Sequence, residues 1–130
     1  MRKLVVVFTA LLLVGSVAYA KDFEVNKKAG QYTVEVKIDK NPPVVGDNNV
    51  KIEIKDSSNK HVTDAKVRVD YSMAAMPGMP PMNYKTDAEL KGTDYTAKMN
   101  LSMAGPWNIE VKFKRPGGNV EKISFSVDAR

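Results

Sequence analysis

From Tyr32 onward the chain alternates apolar and polar residues with a period of two, which predicts strands with one buried face. Tyr32, Val34, Val36 and Ile38 interleave with Thr33, Glu35 and Lys37, and Val50, Ile52 and Ile54 with Lys51, Glu53 and Lys55. Val67, Val69, Tyr71 and Met73 form a third inward set. Asn83 to Leu90 carries the faintest alternation. Tyr95, Ala97, Met99 and Leu101 make a fifth set; Trp107, Ile109, Val111 and Phe113 a sixth; Ile123, Phe125 and Val127 a seventh. Between them stand Asn41-Pro42-Pro43, Gly46-Asp47-Asn48, the polar Asp56 to Lys60 stretch, Gly105-Pro106 and Arg115 to Asn119, all read as turns or connections. No helical period is present. About seven short strands at this spacing predict an all-β fold, an immunoglobulin-like antiparallel sandwich.

The start of the chain follows another rule. Arg2 and Lys3 precede an apolar run from Leu4 to Val17 and the small-x-small sequence Ala18-Tyr19-Ala20, the pattern of a bacterial-type signal peptide. The run is shorter than the ~20 residues a membrane helix needs. Cleavage after Ala20 is expected, leaving 21–130 as a single exported domain, periplasmic or secreted, without stable membrane insertion. The chain has no cysteine, so its core must hold it without disulfides. Removing Arg2 and Lys3 leaves 18 Lys+Arg against 15 Asp+Glu, net +3. That balance, spread along the strands, argues against a nucleic-acid groove. With no cysteine, one histidine and no glycine-flanked serine, nucleophilic catalysis lacks its parts, and no enzyme activity or catalytic residue is expected.

One stretch departs from the alternation. Met73 to Tyr84, MAAMPGMPPMNY, holds four of the seven methionines, spaced by three among prolines that forbid a helix. Met76-Pro77-Gly78-Met79 has the residues of a type II turn, which brings its first and fourth Cα atoms within about 7 Å. Thioether sulfur is a soft ligand that favours Cu(I), with Ag(I) as its mimic. Met76, Met79 and Met82 are therefore candidate ligands. Met103, on the inner face near one end of the sandwich, completes the set if that end also carries the loop. Against this, methionine is a common gap-filler; Met73 and Met99, on inward faces, are assigned to the core. Trp107 is first a core residue and secondarily a ring over a bound cation. His61 is a solvated turn residue, and a ligand only if its connection lies at the methionine end.

Gly46-x-Asn48, Asp56, Val62, Ala65-x-Val67, the Met-Pro-Gly-Met loop, Tyr95 and Met103-x-Gly105-x-Trp107 together resemble the YtkA-like/FixH-like family of small exported β-domains. His61 and Thr93-Asp94 depart from its pattern. The resemblance implies an immunoglobulin-like sandwich tied to copper handling outside the cytoplasm, with a membrane copper-efflux or oxidase-assembly protein as partner. The expected function is weak Cu(I) carriage through the methionine loop. The alternative is a metal-free interaction module that uses the same Pro/Met loop as a contact surface.

Overall fold

The computed structural model describes residues 22–130. The signal segment expected at 1–20 lies outside the described residues. Eight strands follow one another: β1 (Phe23–Ala29), β2 (Tyr32–Ile38), β3 (Gly46–Lys55), β4 (Lys66–Met73), β5 (Met82–Lys91), β6 (Asp94–Leu101), β7 (Gly105–Lys114) and β8 (Glu121–Ala129). All pair antiparallel, in the order β1-β2-β3-β6-β5-β4-β7-β8. The fold is the expected all-β, immunoglobulin-like sandwich, with one strand more than the alternation predicts.

One layer is β1-β2-β3-β6 and the other β5-β4-β7-β8. β5 belongs to both, because Met82 to Ala88 pair with β4 while Glu89 to Lys91 pair with β6. The ladder thus turns a corner between layers without a break. At the far seam β1 approaches β8: the Phe23 and Phe125 rings stack at 6.1 Å, and the Lys27 Nζ donates to the Ser124 carbonyl at 2.7 Å. Lys27 also explains why β1 escapes the sequence pattern. It occupies a slot where the Phe23, Val25, Ala29 series calls for an apolar side chain, so the period is too short to read.

The inward sets are buried as predicted, except that Tyr32 and Ala97 are half-buried. Val34, Val36, Ile38, Ile52, Ile54, Val69, Met99, Leu101, Ile109 and Val111 are each 0% exposed. Two stretches read as turns are strand instead. Gly46 and Asp47 already pair with Leu101 and Asn100, and Gly105 and Pro106 pair with Ala129 and Asp128. In the first case the Asn48 side chain supplies the turn's hydrogen bonds, so the backbone is free for the ladder. In the second, Pro106 needs no donor because it stands at a strand start, where proline is tolerated.

Tyr95 is pinned at the end away from Met73. Its hydroxyl donates to the Val62 carbonyl at 2.9 Å and accepts from the Ala65 N–H at 3.1 Å. Nearby, the Asp56 Oδ1 accepts from the Ser58 and Lys60 N–H groups at 2.8 and 3.0 Å, an Asx turn that closes the connection after β3.

On the outer face, Asp70 receives Arg68 and Lys112, each at 2.9 Å. Partial burial pushes its carboxyl up, but the bonds from Lys112 and Arg68 outweigh that and hold it below the ordinary value. Hydrogen bonding from Arg115 likewise lowers Asp64. A carboxyl with a depressed folded pKa contributes stability above its unfolded pKa and loses it as pH falls through the folded one. Stability is therefore expected to hold from neutral down to about pH 4 and to fall below it. Urea midpoints measured at pH 7, 5 and 3 check this; a midpoint that declined already between 7 and 5 would contradict the assignment.

Candidate metal site

Strand direction settles which residues share an end. β4 finishes at Met73, β5 begins at Met82, β6 finishes at Leu101, β7 begins at Gly105 and β3 begins at Gly46, all at one end of the sandwich. The methionine loop and the 102–104 connection that carries Met103 therefore meet there.

The loop is a continuation of the β4–β5 hairpin. Met73 pairs with Met82, and three residues further out Met76 pairs with Met79 in the same register. Met76 and Met79 exchange both backbone bonds, with N···O distances of 3.1 and 2.8 Å. Gly78 has φ +80°, the conformation that the third position of a type II turn demands. A hydrogen-bonded antiparallel pair holds its Cα atoms about 5.5 Å apart. The spacing by three is thus two cross-strand methionine pairs, separated along the ribbon by about 10 Å at a strand's rise per residue.

Between the pairs lie Ala74, Ala75, Pro80 and Pro81. Proline has no N–H to give, and among the described residues no backbone hydrogen bond joins these arms. The tip is a tight turn on an unladdered ribbon. A twist of those four residues moves the tip without breaking a ladder bond.

The two pairs differ in surroundings. Met76 and Met79 are 37% and 38% exposed. Met73 is buried, its Cε 3.3 Å from where a Cβ on Gly105 would sit. Gly105 also has φ +125°, so a side chain is excluded there by backbone and space alike. Met82 and Met103 are half-buried against the core. The Met82 Sδ accepts from the Ser102 hydroxyl at 3.5 Å and from the Tyr84 hydroxyl at 3.7 Å.

Trp107 fills the core, 1% exposed, and its indole N–H donates to the Met103 carbonyl at 3.0 Å, fixing the connection that bears Met103. The Tyr71, Tyr84 and Trp107 rings form a mutual cluster with centroids 5.5 to 6.1 Å apart. Tyr84 is its exposed member at 41%, so an ion at this end meets the Tyr84 ring before the covered Trp107 ring.

His61 does not join them. It bridges to Lys55 at the opposite end of β3, with its Nδ1 3.5 Å from the Glu53 carboxylate. β3 is ten residues long, so His61 stands roughly 30 Å from the methionine end. The condition set for it as a ligand is not met. Among the described residues no group of three or more His, Cys, Asp or Glu side chains could hold a metal. Around the loop and the 102–104 connection the candidate donors are the thioethers of Met76, Met79, Met82 and Met103 with the Tyr84 and Ser102 hydroxyls. Thioether sulfur suits a soft monovalent ion better than Zn²⁺ or Ca²⁺. The Asp47 carboxylate at this end is taken by the Asn100 amide at 2.9 Å. Tyr84 and Ser102 are the site residues the sequence did not single out. Tyr84 lies two residues beyond Met82 on one strand and so shares its face, a signal that was available; Ser102, just past the end of β6, meets Met82 only where the two layers come together at this end.

A family model described as YtkA-like matches residues 22–112. No curated protein matches the chain. Among solved structures it resembles FetP of uropathogenic Escherichia coli strain F11, in a crystal structure of the 'as isolated' protein expressed recombinantly in the periplasm of E. coli BL21(DE3). The TM-score is 0.52 at 7% identity, covering 84% of this chain and 95% of that one. At so low an identity the likeness concerns the fold alone.

Proposed function

This chain belongs to the YtkA-like family, and on that premise we propose that it is an exported copper carrier, binding Cu(I) weakly at its methionine end and delivering it to a membrane efflux or oxidase-assembly protein. One observation carries the reading. The exposed Met76 and Met79 form a hydrogen-bonded cross-strand pair at the tip of a ribbon whose Ala74-Ala75 and Pro80-Pro81 arms share no backbone bonds, at the end where the half-buried Met82 and Met103 also lie. The pairing sets two neutral thioether side chains on Cα atoms about 5.5 Å apart, and the free arms let the tip bend towards a third at the base. Neutral thioethers build no charged cage, so the ion is held loosely, as a carrier requires. No proton leaves the ligands, which makes affinity insensitive to pH between neutral and mildly acid. The signal-peptide pattern at the start of the sequence supports the compartment we assign, the periplasm or the secreted fraction.

The test is a Cu(I) titration under reducing, anaerobic conditions against a chromophoric competitor. Met76→Leu/Met79→Leu is expected to weaken binding at least about tenfold, a difference of ~1.4 kcal/mol, and to leave the melting temperature unchanged, since both side chains are exposed. Undiminished affinity in that variant would reject the tip as the site.

A second reading has its own observation. Val45 and Tyr84 are 45% and 41% exposed at the same end as Met76 and Met79, so a partner would find an apolar rim around an adaptable methionine tip. Under that reading, partner capture survives a copper chelator; under the first it does not.

A further inference from the structure

Met82 is the methionine whose sulfur already has partners; no other methionine sulfur among the described residues accepts a hydrogen bond. Its two donors come from different elements, Tyr84 from β5 and Ser102 from the connection after β6. Neither is free to wander. The Tyr84 ring stacks on Tyr71 at 5.5 Å and 28°, and the 102–104 connection is tied down by the Trp107 bond to the Met103 carbonyl. Tyr84 Oη and Ser102 Oγ are themselves 3.5 Å apart. A closed triangle of one sulfur and two hydroxyls therefore sits at the base of the methionine ribbon.

Resting on the copper reading above, we propose that Tyr84 and Ser102 are positioning residues that cap the Met82 sulfur, and that a soft monovalent cation takes this sulfur by displacing both hydroxyls. A thioether is a weak acceptor, so each hydroxyl gives up little on leaving it. Once displaced, the two hydroxyls retain each other as hydrogen-bond partners, so neither is orphaned and the exchange stays shallow. A hard cation gains nothing from the sulfur and finds no charge on the hydroxyls, so the cap opens for soft ions only. In the metal-free protein the cap keeps Met82 in a fixed rotamer at the base, which the bending tip can meet. It also lowers affinity, because binding must first break the cap. Loose holding thus comes from built-in competition as well as from neutral ligands.

The experiment uses Ag(I) as a redox-inert probe and protein labelled with ¹³C at the methionine methyls. In the wild type, Ag(I) is expected to move the Met76, Met79 and Met82 methyl resonances together. Tyr84→Phe and Ser102→Ala should each tighten Ag(I) binding about two- to fivefold, and the double variant about tenfold, the scale of one or two modest hydrogen bonds. In a Met82→Leu background the same two substitutions should change nothing, which ties their effect to that sulfur. Resonances of Met76 and Met79 that move while that of Met82 stays still would overturn the cap and spare the carrier. So would Tyr84→Phe and Ser102→Ala variants that bind no more tightly than wild type. If no methionine methyl responds in the wild type, the copper reading falls and the cap falls with it.

Discussion

Trp107→Ala is expected to lower the free energy of unfolding by about 3–5 kcal/mol. Trp107 is the largest fully buried side chain, and its removal opens a cavity beside Tyr71 where the first residues of β7 cross β4. The loss is not only volume. The Met103 carbonyl gives up the indole donor that fixes the 102–104 connection, so Ser102 and Met103 loosen together. Urea denaturation followed by circular dichroism measures the change. Trp107→Phe separates the two effects, since it keeps most of the packing and removes the N–H. It should cost about 1–2 kcal/mol and blur the methionine end while the rest stays ordered. A Trp107→Ala loss below about 1.5 kcal/mol would mean the ring is not the keystone of this end.

Asn48→Ala is expected to cost about 2–3 kcal/mol, on the scale of leaving buried polar groups unsatisfied. Asn48 is 0% exposed and the one buried polar residue among those described. Its Oδ1 accepts from the Val44 N–H at 2.9 Å, and its Nδ2 donates to the Val44 and Gly46 carbonyls at 2.8 and 3.1 Å. One side chain thus closes the Pro-rich connection onto the start of β3. Asn48→Asp is the sharper test. Aspartate has the same shape, but it has no N–H to offer the two carbonyls and places a charge beside them in a buried site. At neutral pH it should destabilise at least as much as alanine. If aspartate proved as stable as wild type, the hydrogen bonds would not be what Asn48 is there for.

The residues that carry the family resemblance acquire jobs in the structure, and most of those jobs hold the fold. Asn48 pins a connection, Asp56 makes an Asx turn, Tyr95 joins Val62 to Ala65, and Trp107 ties down Met103 across Gly105. Each is a side chain bonding to backbone at a place where the ladder stops. None needs a metal. The Met-Pro-Gly-Met tip is different: it is exposed, it fills no core position, and its turn would form as well with other side chains at its ends. A packing role does not account for Met76 and Met79, and that is why the proposed function rests on them.

The strands that alternate cleanly could be read directly, because a side chain every two residues must face either the core or water. β1 could not, since Lys27 interrupts its inward series and reaches across the seam to Ser124. The starts of β3 and β7 were hidden by glycine, asparagine and proline, which read as turn chemistry until a side chain or a strand-start position relieves the backbone. The type II turn at Pro77-Gly78 was legible because its geometry depends on two adjacent residues alone. That Met103 shares the methionine end, and that His61 does not, was not legible: each follows from the direction in which distant strands pair.

What the sequence determined by itself is local: the two-residue period, the turn, the four methionines spaced by three and the softness of their sulfur. What only the tertiary structure decided is company: which end the loop occupies, that Met76 faces Met79 across a ribbon with no ladder behind it, and that Tyr84 and Ser102 meet at the sulfur of Met82. The physical reason is range. Backbone dihedrals and burial are set by neighbours along the chain, whereas the assembly of a site depends on strand pairings between residues far apart in sequence, which no local pattern encodes.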